Sequence, residues 1–301
     1  MTAFLNNAAN DDDIQNGTAT ARQYGISVTS PRFGVSGGEY ACSAEDMTIA
    51  KGIASIKFMS EKSAKALSQI GQKKYDYFVD LLMDMNQIGG VDARQLDILL
   101  HIDFFRRFGN QRELERIVGV FNFFSAGSAK QIKKDRIAGS YFEEIVKAYS
   151  NGLTKAGKEA ASYTILNMRA ILRECEAKIK SMNLPDLDIV VKIRYFNEAM
   201  GYSGYVTGRD EDRPLLYVKD TYPLCRKKDG KQFGYSIITQ SIGSGIETRF
   251  TVFNRVFDRE PVSAGDVITC TGYTKDGPYF TMTGYRKHYA EGEEIFEEEP
   301  A

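Results

Sequence analysis

The hydrophobic period of the chain changes near residue 200, and this limits the fold more than any other feature. Upstream, apolar residues recur at helical spacing. Tyr75, Phe78, Val79, Leu82 and Met83 follow the i, i+3, i+4, i+7 pattern of one buried helical face. Asp92 stands where it can cap a helix that carries Leu96, Leu99 and Leu100 inward. Asn110, with Glu113 three residues later, has the form of a capping box ahead of Leu114, Ile117, Val118 and Phe121. Ile165, Met168, Leu172, Cys175, Ile179 and Met182 are spaced 3-4-3-4-3, which predicts one longer helix ended by Pro185. Residues 187–200 stay open between helix and strand, because β-branched Ile189, Val190 and Val191 come without turn signals.

From about residue 215 the period moves toward two. LLYVKDTYPL (215–224), FGYSIITQSI (233–242), TRFTVFNRVF (248–257), DVITCTGYT (266–274) and YFTMTGYRKH (279–288) read as five strands. Asp229-Gly230 and Asp276-Gly277 are hairpin turn dipeptides. Five short strands predict a small antiparallel barrel, and the OB-fold, whose face binds oligonucleotides, is the five-stranded candidate. The expected class is α+β: a mainly helical N-terminal two-thirds followed by an OB-like β-barrel.

Charge is unevenly placed. The 301 residues hold 39 Lys+Arg and 40 Asp+Glu, a net charge of −1. Six glutamates fall within Glu291–Ala301, so residues 1–290 carry 39 basic against 34 acidic residues, a balance of +5. Basic residues gather at Lys130, Lys133, Lys134 and Arg136, and again at Arg226, Lys227, Lys228 and Lys231. Such groups form solvated faces or neutralise phosphates. The 18 Phe and 17 Tyr supply a core and argue against disorder. No apolar run is long enough to span a membrane, and the N-terminus lacks the form of a secretory signal. Cys42, Cys175, Cys225 and Cys270 have neither zinc spacing nor a disulfide framework. The expectation is a cytoplasmic chain with free thiols and no membrane partner.

Catalytic motifs are sought without success. GLTKAGKE (152–159) matches a phosphate loop except for Glu159, where Mg²⁺ coordination needs Ser or Thr, and reads as a Gly-rich interhelical loop. Asp11, Asp12 and Asp13 are adjacent, too close in sequence to converge on one ion, and read as a helix-capping loop. His101 lies within LLHIDFF and reads as structural.

Several collinear blocks resemble one family. In the stretch 24–67, Gly25-Ile26, Pro31, Ser36, Gly52, Ile56-Lys57, Glu61 and Ala64 occupy places found in bacterial family C replicative DNA polymerases, the DNA polymerase III alpha subunits. VDARQLDILLHIDFFRRFGNQREL (91–114) is similar to a later block of that family. AKQIKKDRI (129–137) and EAMGYSGYVTGRDEDRPLLYVKDTYPL (198–224) look like Firmicutes-type forms. The resemblance covers almost the whole chain.

The resemblance implies a layout. Residues 1–60 would end the polymerase fingers, 50–124 would hold a helix-hairpin-helix unit gripping primer–template duplex, and 125–200 would be a helical connector. Residues 201–290 would be the OB-like domain on single-stranded template, followed by the acidic tail 291–301. The family's catalytic carboxylates lie in a palm upstream of these blocks, so no catalytic residue and no cofactor are expected here. Mg²⁺ would belong to that palm, and a separately encoded catalytic chain would be a partner. The family's hairpin glycines are replaced by Lys57-Phe58-Met59-Ser60-Glu61, so duplex contact there would be weakened or rearranged. The DNA-binding candidates are Lys57, Ser60, Lys62 and Lys65 at the first turn, and Arg106, Arg107 and Asn110 at the second. Lys130, Lys133 and Lys134 follow in the connector, with Arg226, Lys227, Lys228 and Tyr235 on the barrel. Tyr217, Phe233 and Tyr285 are further stacking candidates. Gln95-Leu96-Asp97-Ile98-Leu99 is similar to a sliding-clamp peptide, although a helix wants its leucines inside. A stand-alone nucleic-acid-binding accessory protein and a structural docking part with little DNA affinity are the alternatives.

Overall fold

The computed structural model describes residues 1–8, 10–43, 47–200, 204–207 and 210–289. The acidic tail 291–301 lies outside the described residues. The elements begin with α1 (Thr2–Asn6), α2 (Asp11–Gln23), β1 (Ser27–Thr29), β2 (Ala41–Ser43) and β3 (Thr48–Ala50). Then come α3 (Glu61–Gly71), α4 (Phe78–Ile88), α5 (Ala93–His101), α6 (Gln111–Phe123), β4 (Gln131–Lys133), α7 (Glu143–Ala148), β5 (Ser150–Leu153), β6 (Glu159–Ile165) and α8 (Met168–Ser181). The last are α9 (Ile189–Met200), β7 (Leu215–Cys225), β8 (Gln232–Ser241), β9 (Glu247–Phe253), α10 (Asn254–Phe257), β10 (Val267–Asp276) and β11 (Tyr279–His288). The class is α+β. No helix among the described residues is long and apolar enough to cross a membrane.

Two compact units divide the chain, one of Pro31–Ala41 with Ala50–Leu187, the other of Met1–Ser30, Cys42–Ile49 and Asp188–Ala301. These do not follow the boundaries expected from sequence. Residues 1–60 are shared between the units, and α9 groups with the barrel rather than with the connector.

In the first unit, local capping sets the helix starts. Asp92 with Gln95, and Asn110 with Glu113, form capping boxes at α5 and α6. The N-terminus of α4 has no cap of its own. Buried Glu176 of α8 supplies one, accepting from Phe78 N at 3.0 Å and Val79 N at 2.9 Å. A carboxylate there meets both the orphan N–H groups and the positive end of the helix dipole. Lys180 holds Glu176 at 2.7 Å. Within the first turn of α4, Asp80 is gripped by Arg173 at 2.7 and 3.0 Å and by Arg169 at 3.2 Å. Phe33, Phe78, Phe104, Phe105 and Phe108 interlock below, with ring centroids 5.0 to 6.0 Å apart.

The connector expected to be helical departs most from expectation. Residues 131–165 hold a three-stranded sheet in the order β4-β6-β5. These strands are short and at most half-buried apart from Ile132, so they carry little hydrophobic alternation to read. GLTKAGKE is a β-hairpin turn rather than an interhelical loop, closed by Thr154 N donating to Lys158 O at 2.8 Å. Ile165 ends β6, and α8 starts at Met168 behind its cap Asn167. Near the N-terminus, Asn10 caps α2 by accepting from Asp13 N at 2.8 Å, so the Asp11–Asp13 run forms that helix's first turn.

One glycine here is fixed by space. A Cβ on Gly52 would lie 2.4 Å from the Glu39 carbonyl carbon, because Ile53 N and Ala54 N bond back to Gly37 O and Gly38 O. Gly52→Ala is expected to cost about 2–3 kcal/mol, the scale of strain from forcing atoms into a packed site. Denaturant unfolding measures it, and an unchanged midpoint would show that the two backbones part freely.

In the second unit, β7-β8-β9-β11-β10 close into a barrel. Every pair is antiparallel except β9 with β11, which run parallel at Phe250↔Phe280 and Thr251↔Thr281. The purely antiparallel expectation fails at that seam, because the chain crosses the barrel through α10, which takes over the last residues of the expected third strand. Leu216, Val218, Ile237, Phe250, Val252, Ile268 and Met282 fill the interior. The undecided segment 187–200 forms α9, which lays Val190 and Ile193 on Ile242 and Val267. α1, α2 and a sheet in the order β1-β3-β2 make up the rest of this unit's described part.

Candidate nucleic-acid interface

Strand register decides which barrel side chains meet solvent. Ile237↔Phe250 and Tyr235↔Val252 pair on the face that carries the core. Side chains alternate along a strand, so the pairs Ile238↔Arg249 and Ser236↔Thr251 face away from the core, with Arg249 exposed and Ser236 covered, and exposed Phe253 lies opposite Gly234. β7 adds Tyr222 opposite Ser236 and Leu224 opposite Gly234. Tyr222 and Phe253 are 46% and 41% exposed. Arg249 Nε donates to Ser236 Oγ at 2.6 Å, which fixes a cation on this face. The Tyr222 hydroxyl donates to Asp220, and that bond holds the phenol's pKa above its ordinary value.

The loop joining β7 and β8 projects beside this face. Arg226 N donates to Lys231 O and Gly230 N to Arg226 O, each at 2.9 Å. Gly230 takes a φ of +69° to complete the turn. Arg226, Lys227, Lys228 and Lys231 are exposed. None of the four has an ion pair among the described residues. Exposed rings beside free cations suit the bases and phosphates of a single strand.

The barrel mouth offers a second apolar surface. A cavity of about 510 Å³ is lined by Leu216, Ile246, Phe250, Cys270, Tyr273 and Phe280 among others. The rings of Phe250, Tyr273 and Phe280 lie 5.9 to 6.1 Å apart. Tyr273 is exposed, and Lys275 Nζ sits 5.2 Å from the Phe280 ring centre.

Tyr235 does not belong to this interface. Its ring stacks on Phe257 at 3.6 Å and packs against the barrel core. Tyr285 also packs inward, donating its hydroxyl to Glu260 O at 2.6 Å. Tyr217 packs beside α9. Phe233 is half-buried, 6.3 Å from Phe253. Tyr222, Phe253, Arg249 and Tyr273 are the exposed rings and cation on the barrel surface instead, and only the strand register reveals Tyr222, Phe253 and Arg249.

In the helical unit, Lys57, Lys62 and Lys65 are exposed at the turn before α3 and along its first two turns. Ser60 is the N-cap, its Oγ accepting from Ser63 N at 3.1 Å, so its role there is structural. Gln95 is 9% exposed and ties the region together. It accepts from Ser63 Oγ at 3.0 Å and Asp92 N at 3.2 Å, and donates to Phe58 O at 2.9 Å. The leading glutamine of the clamp-like peptide is therefore buried, its side chain engaged inside the unit.

The second turn is more closed than expected. Asn110 engages both side-chain polar atoms in structure, Oδ1 accepting from Glu113 N and Nδ2 donating to Leu184 O at 2.8 Å, so one amide N–H remains for other partners. Arg106 pairs with Asp103 at 3.3 Å. Arg107 lies over the Phe108 and Phe33 rings but keeps its exposure. In the small sheet, Lys134 is engaged by Glu159 at 2.9 Å and by the Tyr163 ring, whereas Lys130 and Lys133 remain exposed. Among the described residues no group of three His, Cys, Asp or Glu could hold a metal ion. Compared with known proteins, the chain matches no family model and no curated protein.

Proposed function

We propose that this chain is a non-catalytic nucleic-acid-binding protein whose barrel holds single strands and whose helical unit meets duplex, as in the C-terminal part of a family C DNA polymerase. Strand order supports it most. Numbered along the chain, the barrel strands close as 1-2-3-5-4-1, with a parallel 3–5 seam and a helix after strand 3. That order is consistent with an OB-like barrel, and OB-folds bind oligonucleotides on the face of strands 2 and 3 and at the 1–2 and 4–5 loops. In this chain those places carry Arg249, Phe253, the Arg226–Lys231 loop and the Tyr273–Tyr279 hairpin. The turns at 56–60 and 106–110, each leading into a capped helix, support the helix-hairpin-helix reading of residues 50–124.

Fluorescence anisotropy with a labelled oligothymidine tests the barrel. Tyr222→Ala and Phe253→Ala are each expected to weaken binding by about 1–3 kcal/mol, the scale of one stacked base. Binding by the parent chain that both variants retain would move the site elsewhere. Absence of any salt-sensitive binding would sink the nucleic-acid reading and leave a docking role.

A further inference from the structure

The turn before α3 carries an exposed phenylalanine in a backbone conformation that favours glycine. Phe58 has a φ of +64° and is 51% exposed. For a bulky side chain this region is a steric outlier, and glycine would adopt it freely. Packing does not account for the ring, which is absent from the buried core. The Arg94 guanidinium lies 3.9 Å from the ring centre, and Lys57 Nζ lies 5.3 Å away. The conformation is held from inside the unit, where buried Gln95 donates to the Phe58 carbonyl at 2.9 Å. Lys62 and Lys65 stand exposed on the helix that follows. None of Lys57, Lys62, Lys65 and Arg94 has an ion pair among the described residues. Glu61, in the first turn of α3, is the acidic neighbour in sequence.

We infer that Phe58 is a stacking tip, a ring that lies against a nucleobase of bound duplex while Lys57, Lys62, Lys65 and Arg94 take the flanking phosphates. Strain kept at an exposed position is a pointer to function when nothing structural requires it. An aromatic wedge meeting a base step is an established mode of duplex contact. The proposal rests on the nucleic-acid reading above, and it assigns the duplex contact to a side chain rather than to glycine backbone.

Three variants of the full chain test it against a labelled duplex and a labelled oligothymidine. Phe58→Gly is expected to melt at or above the parent temperature, because it relieves the left-handed residue, yet to bind duplex about tenfold more weakly, the scale of one lost stack. Phe58→Leu keeps the strain without the ring and is expected to show the same loss at the parent's melting temperature. Phe58→Tyr should bind like the parent. 2-Aminopurine in the duplex should change its fluorescence with the parent and with Phe58→Tyr alone. Oligothymidine affinity should stay constant throughout. A Phe58→Gly chain that holds duplex within about twofold of the parent overturns the stacking tip, as does an equal loss on both nucleic acids. A parent chain that binds no nucleic acid at about 50 mM salt overturns the underlying reading as well.

Discussion

Glu176→Ala is expected to lower the melting temperature of the helical unit by about 10 °C. The carboxylate is buried and accepts three hydrogen bonds, two from the first N–H groups of α4 and one from Lys180. Removing it strands the Phe78 and Val79 amides and leaves Lys180 without its partner. Breaking a buried, hydrogen-bonded charge in this way costs roughly 3–4 kcal/mol. Each kcal/mol moves the midpoint by about 2–4 °C in a unit of this size. Lys180→Ala should cost under about 1 kcal/mol, because the lysine side chain is one-third exposed and its pairing is screened. Glu176→Gln should fall between, since its amide can accept only one of the two backbone donors well. Far-UV circular dichroism melts measure all three. A Glu176→Ala shift below about 3 °C would mean that water replaces the carboxylate at the α4 terminus.

Reversing the barrel loop, with Arg226→Glu, Lys227→Glu and Lys228→Glu together, is expected to weaken oligothymidine binding by about 10²–10³-fold. It should also shrink the slope of log K against log salt by about 2. Three cations on an exposed hairpin tip release three sets of counterions when they meet phosphates, and each contributes about 0.7 to that slope on a single strand. The turn itself is built from backbone bonds and Gly230, so the melting temperature should hold. The stacking variants at Tyr222 and Phe253 provide the contrast: their affinity falls while the slope stays. A triple reversal with an unchanged slope would place the phosphates elsewhere, with Arg249 and Lys275 as the next cations to test.

The parts of the fold that were legible in sequence depend on near neighbours in the chain. Asp92 and Asn110 cap their helices through residues three positions on. The barrel strands announce themselves by alternation and by Asp-Gly turns, each needing only the next few residues. The β4-β6-β5 sheet was not legible, because its strands bury little and pair chiefly with one another. Nor was the cap on α4, whose acceptor lies 98 residues away from Phe78 and exists only because α8 packs there. The candidate cations at 57, 62, 65 and 226–228 were readable as exposed charges. The bonds that tie Asn110 to Leu184 O and Lys134 to Glu159 were not legible, since those partners lie 74 and 25 residues away in the chain.

The barrel face shows most clearly what sequence determined and what only tertiary structure decided. Local pattern alone places a strand at 215–224 without saying which side chains face inward; the structure puts Leu216 and Val218 in the core. Continued alternation would carry Tyr222 inward too. A register shift between Val218 and Asp220 reverses the parity, so Tyr222 pairs with Ser236 on the outer face. Tyr235, just as plausible a platform by composition, faces the core and meets Phe257. Composition and period specify that aromatic strands form; one inserted residue, set only when β7 pairs with β8, decides which rings reach solvent.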